Sequence, residues 1–216
     1  MSETIDISIL EILSSKICHD LISPIGAVNN GIEFMQEMGE DAGEEATDLI
    51  AFSANQASAK LKAYRMAYGA GGADDSSKPE DVYNAIQDMV GAENKIVQRW
   101  DAYGELGYGD NRPAAFCKLL ISALILAMDC LPKGGELIVE AGDNTGTTLI
   151  RTEGENSAIR DYADMALDLT LPRQDLEPKY VHAYVTGLLA RNYGYSIAMV
   201  DQNNGGALIT LTHPNV

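Results

Sequence analysis

Two long stretches of helical periodicity, separated by a few glycine-bounded residues, restrict what this chain can fold into more than any other feature of its sequence. From Ile5 to about Met38, apolar residues recur at helical spacing as Ile9, Ile12, Leu13, Ile17, Leu21, Ile25, Val28, Ile32 and Met35. A helix of that length extends about 50 Å. Residues 39–43 supply a break, and Gly43 is well placed to reverse the chain. A second stretch, from about Glu44 to Tyr68, puts Leu49, Ile50, Ala54, Ala57, Leu61, Tyr64 and Ala67 on one broad face. The pair predicts an antiparallel helical hairpin. Two such helices cannot bury both apolar faces against each other alone, so a second hairpin is required. The expectation is a homodimer whose four-helix bundle holds two copies of residues 5–68.

The segment "GAGGADDSSKP", residues 69–79, offers turns and no apolar pattern, and it is the strongest boundary in the chain. It divides a helical hairpin at 1–70 from a second unit at 80–216, with 71–79 as linker. The second unit predicts a helix over 80–91, strand material around "KIVQRWDAY" and a buried helix over 112–130. A strand pair over 135–152 follows, then helices around 157–168 and 178–192, then a final pair, "YSIAMVD" and "GALITLTHP". The fold class is α + α/β, the second unit being an α/β sandwich with helices on one face of a mixed sheet.

Composition narrows the partners. The chain has 216 residues and is 46% hydrophobic, enough for a real core. Its net charge is −17, with eleven acidic residues and one lysine in the first fifty positions. Such a charge repels nucleic acid and anionic membrane surfaces and leaves a protein or a small molecule as partner. Cys18, Cys117 and Cys130 are an odd number, and two of them sit inside apolar helical patterns, which fits a reducing cytoplasm. The N-terminus lacks a signal-peptide pattern. The most apolar run reaches thirteen residues between Lys118 and Pro132, against the roughly 20 needed to span a bilayer.

The chemistry concentrates in "SSKICHDLISPIGAVNNGIE", residues 14–33, which carries one of only three histidines. An unperturbed imidazole, with a pKa of about 6.5, offers a free nitrogen at neutral pH, so His19 is an available nucleophile. Asp20 is adjacent and can hold the ring tautomer through one nitrogen, leaving the other free to attack. Ser23, four residues on, shares the face of His19. Pro24 lacks an N–H and clashes with the preceding turn, which frees the carbonyl of Asp20. The competing reading is an ordinary polar residue on a helix surface. Cys18 with His19 makes a poor catalytic pair, because adjacent helical residues point about 100° apart. His182 and His213 read as a helix-surface and a terminal-loop residue, and neither is assigned chemistry.

The run His19-Asp20-Leu21-Ile22-Ser23-Pro24 resembles the H-box of two-component histidine kinases. The hairpin and the α/β unit resemble, in that order, a kinase's dimerisation and phosphoacceptor domain and its ATP-binding domain. "KLLISALILAMDCLPKGGELIV" is similar to the region around a kinase N-box, with Leu131 to Gly135 aligned on the motif "TP-x-GG". In that alignment the magnesium-binding asparagine falls on Leu126 and the asparagine before it on Ser122. Leucine cannot coordinate magnesium, which requires oxygen ligands. No Asp-x-Gly-x-Gly and no glycine-rich lid follow, although "YVTGLLARNYGYSIAMVDQNNGGALITLTHP" is similar to the closing helix and strand pair.

An intact H-box hairpin on a degenerate ATP-binding-like unit resembles the ChpT family of histidine phosphotransferases, over nearly the whole chain. Particularly close are "KICHDLISPIGAVNNGIE", "RMAYGAGG" and "GGELIVEA". The resemblance implies relay of a phosphoryl group from the receiver aspartate of a hybrid kinase to His19, then to the aspartate of a response regulator. It implies that the receiver supplies Mg²⁺ and that this chain binds no cofactor and no ATP. Asp20 and Ser23 would support His19, and Lys16, Asn30 and Arg65 would belong to the receiver-docking surface. An ATP-dependent histidine kinase and a dimeric signalling scaffold with an inert histidine are the alternatives.

Overall fold

The computed structural model describes residues 6–70, 77–91, 95–109, 112–202 and 205–214. The chain opens with α1 (Ile7–Met38), a 3-10 turn (Gly39–Ala42) and α2 (Gly43–Tyr68). Asp6 starts α1 by accepting from the Ser8 amide at 3.0 Å, and its other oxygen accepts from Arg173 Nη1 at 3.0 Å. Gly39 and Gly43 turn the chain at positive φ, 56° and 67°.

The hairpin seam differs in detail from the face expected of the second stretch. On α2 the buried positions are Ala46, Ser53, Ala59, Ala63 and Ala67, whereas Leu49 and Leu61 are exposed. Small residues let the helices approach closely. A Cβ on Gly31 of α1 would stand 2.6 Å from Ile50 Cγ1. The larger side chains are thereby turned outward.

The rest of the chain runs α3 (Pro79–Gly91), β1 (Ile96–Arg99), α4 (Phe116–Asp129), β2 (Gly135–Ala141), β3 (Thr147–Glu153), α5 (Ala163–Leu167), α6 (Val181–Asn192), β4 (Ser196–Asp201) and β5 (Ala207–Thr212). Most of the predicted linker, residues 71–76, lies outside the described residues. The sheet order is β1-β2-β3-β5-β4, with β1 parallel to β2 and the other pairs antiparallel. Register aligns Val139, Ile150, Ile209 and Met199 in one row across four strands, and all four are buried. Alternation along the strands places the helices on that face only. On the other face Val97 and Val200 are exposed, beside the ion pairs Arg99–Glu136 and Arg151–Glu140.

Two predicted helices are shorter than the periodicity suggested. The helix expected over 112–130 begins at Phe116, because Ala115 takes a left-handed backbone at φ 63°. The helix expected around 157–168 is confined to Ala163–Leu167. Residues before it are held elsewhere, as the Ile159 amide donates to Asp201 Oδ1 at 2.9 Å and Tyr162 is left-handed at φ 64°.

The open end of the hairpin and the α/β unit share one apolar core, in which Ile9, Ala63 and Ala67 join Val82, Leu119, Leu120 and Leu124. A buried cation fastens this junction. Lys118 of α4 donates from Nζ to the carbonyls of Ala67, at 3.3 Å, and Gly69, at 2.6 Å. These are carbonyls at the C-terminal end of α2, where the helix dipole favours positive charge. Burial draws the Lys118 ammonium below its ordinary pKa. Among the described residues no helix is long and apolar enough to cross a membrane.

Candidate phosphoacceptor site

α1 runs unbroken through Pro24, which is buried. Proline cannot donate to the carbonyl four residues back, so the Asp20 carbonyl needs another partner. Lys60 of α2 supplies it, donating from Nζ at 3.3 Å. The irregularity visible in the sequence is thus satisfied from across the hairpin, and a second lysine is brought to Asp20.

His19 projects into solvent, with 87% of its side chain exposed, whereas the Asp20 side chain is 15% exposed. Asp20 Oδ1 lies 3.4 Å from His19 Nδ1. Its other oxygen, Oδ2, accepts from both Lys16 Nζ and the Tyr64 hydroxyl. Partial burial alone would raise the Asp20 carboxyl. The hydrogen bonds from Lys16 and Tyr64, together with the Lys16 charge, outweigh it and hold the group below its ordinary pKa of 3.8. At neutral pH the ring therefore faces a carboxylate, which can accept only from an Nδ1 that carries the proton, the tautomer that leaves Nε2 free.

The structure brings Lys16 and Asp20 together with His19. Ser23 is exposed one turn beyond, and no hydrogen bond links it to the ring among the described residues. Asn30 is exposed eleven residues along α1, about 16 Å from His19 at the helical rise. Arg65 is exposed on α2, next to Tyr64. Ile22, one turn from His19, is 68% exposed and forms an apolar patch beside it.

Sequence reasoning missed Lys60, Tyr68 and the role of Tyr64, which it placed on an apolar face. The available signal was their i, i+4, i+8 spacing, which stacks three hydrogen-bonding side chains along α2. It also misplaced His182. That residue is not on a helix surface: it is 5% exposed, between α6 and α4. Its Nε2 lies 2.9 Å from the Ser122 carbonyl and its Nδ1 meets the Tyr68 hydroxyl. The position aligned with an N-box asparagine thus contributes a backbone acceptor, while its hydroxyl donates to the Lys118 carbonyl at 2.8 Å. Leu126 lies in the core, 4% exposed.

Desolvation draws His182 below its ordinary pKa of 6.5. Below about pH 6.5 the unfolded chain protonates this residue while the folded chain does not, so the unfolded state binds more protons and stability falls with acidification. Asp6 and Asp20, held below 3.8, add their own loss only at lower pH. Denaturant titrations between pH 7 and pH 5 are expected to show declining stability in the wild-type protein. His182→Gln should flatten that slope; an equal slope would place the titrating group elsewhere.

The chain and its fold have counterparts among known proteins. Residues 79–205 match the family model for the histidine phosphotransferase C-terminal domain. The chain is 33% identical to protein phosphotransferase ChpT of Brucella abortus (strain 2308) over 205 residues, 92% of this chain and 94% of that one. A solved structure of a bacterial phosphotransferase superposes with a TM-score of 0.78 at 28% identity, covering 97% of this chain and 98% of that one. The histidine kinase AdeS of Acinetobacter baumannii gives a TM-score of 0.47 at 17% identity over 92% and 98% of the two chains, a likeness too loose to argue from.

Proposed function

The chain belongs to the ChpT-type histidine phosphotransferase family, with a phosphotransfer role in two-component signalling, and on that premise we propose that it relays phosphoryl groups between receiver-domain aspartates through His19. The observation that carries this reading is a solvent-exposed imidazole whose Nδ1 faces an ionised Asp20. In the forward step the Nε2 lone pair attacks the phosphorus of a receiver acyl phosphate. The N–P bond forms as the P–O bond to the aspartate breaks, and the receiver regains its carboxylate. Nδ1 keeps its proton, so the phosphorylated ring carries positive charge, which Asp20 stabilises. The second transfer is the reverse, onto the aspartate of a response regulator. Mg²⁺ comes with the receiver in both steps, and this chain contributes a positioned nitrogen and a docking surface around Ile22, Lys16, Ser23 and Arg65. Asn30, three turns away, would belong to the margin of that surface.

ATP has no part in this reading. Leu126, in the core at the aligned magnesium position, supports that view. A phosphorylated receiver with Mg²⁺ and no ATP is expected to label the chain, while radiolabelled ATP alone leaves it unlabelled. Labelling by ATP and not by the receiver would overturn the relay in favour of a kinase; labelling by neither would leave a scaffold.

The active form is proposed to be a homodimer. Ile7, Leu10, Ile25 and Ile32 are exposed on α1. At about 100° per residue they lie within roughly 60° of one another, and His19 lies on the order of 140° from their centre. A second hairpin can therefore cover the stripe in a four-helix bundle without covering the histidine. Sedimentation should give about twice the chain mass. Replacing Ile25 and Ile32 together by Glu should halve it, since two carboxylates would have to be buried; a wild-type mass of one chain would contradict the bundle.

A further inference from the structure

Asp20 has two oxygens, and the structure divides them. Oδ1 faces His19, while Oδ2 accepts from Lys16 and Tyr64. Fixing Oδ2 sets the plane of the carboxylate and with it the direction of Oδ1. The two anchors differ in stiffness. Lys16 is on the same helix, 30% exposed and attached by a flexible stem. Tyr64 reaches across from α2, and its rigid ring is largely buried and stacked on Tyr68, with centroids 5.8 Å apart and planes at 26°.

The contact continues into the α/β unit with its polarity determined. A carbonyl oxygen only accepts, so the bond to Ser122 requires the proton of His182 to reside on Nε2. Nδ1 is then an acceptor and the Tyr68 hydroxyl its donor. Burial raises the pKa of both Tyr64 and Tyr68, so both remain donors. From α4 and α6 to Asp20 there runs one connected row of buried or half-buried groups, and none of them touches the reacting nitrogen.

We propose that Tyr64 is a positioning residue for His19, acting through Asp20, and that the α/β unit reaches the phosphoacceptor along the row His182, Tyr68 and Tyr64. This rests on His19 as phosphoacceptor, but its first consequence is independent of any transfer. The degenerate unit then has work to do without a nucleotide: it holds the tyrosines that aim Asp20, which selects the His19 tautomer with Nδ1 protonated and Nε2 free.

Long-range proton–nitrogen NMR correlations of the His19 ring, recorded on the full chain at a pH where the ring is neutral, read that tautomer directly. The wild-type ring is expected to be enriched in the Nδ1-protonated form over a histidine in a short peptide. Tyr64→Phe should move it towards the peptide ratio, and Tyr68→Phe should move it less, in the same direction. Transfer from a phosphorylated receiver should slow about tenfold in Tyr64→Phe, as expected for one hydrogen bond to a charged group. A wild-type ring without enrichment, or a Tyr64→Phe ring identical to wild type, overturns the positioning role. A Tyr68→Phe ring identical to wild type overturns the reach of the α/β unit. Should Tyr64→Phe fail to fold, the wild-type ratio and Tyr68→Phe still decide. A chain that shows the tautomer shifts but accepts no phosphoryl group would refute the relay and leave the positioning standing.

Discussion

His19→Ala takes up no phosphoryl group from a phosphorylated receiver, its labelling falling to background while the wild-type chain is labelled under the same conditions. The expectation follows from what remains after the ring is removed. Asp20 presents a carboxylate already committed to Lys16 and Tyr64, and Lys16 and Lys60 are cations with no lone pair to offer at neutral pH. The substitution should cost nothing in stability. The side chain is 87% exposed, and alanine is the better helix former, so the melting temperature should remain within about 2 °C of wild type. Label persisting on His19→Ala would move the acceptor elsewhere; a collapsed melting temperature would make the loss one of folding and not of chemistry.

Gly187→Ala should produce a large loss of stability from the smallest added group. In α6 the position of its Cβ would stand 2.0 Å from the Leu167 carbonyl oxygen and 3.0 Å from the carbonyl carbon. These are backbone atoms at the end of α5, and no rotamer change moves them aside. Glycine to alanine inside a helix ordinarily gains about 1 kcal/mol. Forcing α5 and α6 apart in a close-packed core costs more than that gain, with overpacking at about 1–3 kcal/mol and a clash with backbone at or above the upper end. A net loss of about 2 kcal/mol corresponds to a fall of roughly 4–8 °C in melting temperature for a chain of this size. An unchanged or raised melting temperature would mean that the two helices do not meet as described. Because α6 carries His182, the same variant should also weaken the contact to Tyr68.

Much of the architecture was legible in the sequence because period and punctuation are local properties. The 3.6-residue repeat on both sides of residues 39–43 predicted α1 and α2, the helix read over 80–91 corresponds to α3, and β2, β3, β4 and β5 followed from strand patterns bounded by turn residues. The errors fell where a distant contact overrode a local preference. Residues 157–162 read as helix, but the Ile159 amide is taken by Asp201, forty-two positions later. His182 read as a helix-surface residue, and only the packing of α6 on α4 shows that its side of the helix is dry. Leu49 and Leu61 read as part of one broad apolar face of the second stretch, but which side of α2 meets α1 was not local: Ala46, Ser53, Ala59, Ala63 and Ala67 are buried while the two leucines face outward, since close approach of two helices favours small side chains.

At the site the same division holds. The order His19, Asp20, Ser23, Pro24 by itself determined that an imidazole, a carboxylate and a freed carbonyl would share one stretch of helix, because these relations span at most five residues. Which groups would answer them was decided only by tertiary structure. Lys60 and Tyr64 lie forty and forty-four positions from Asp20, and His182 lies a further hundred and more. A spacing rule reaches one or two turns of helix. Folding the hairpin and docking it on α4 and α6 brings those residues within hydrogen-bond distance, and it is there that the Asp20 carboxylate acquires a fixed direction.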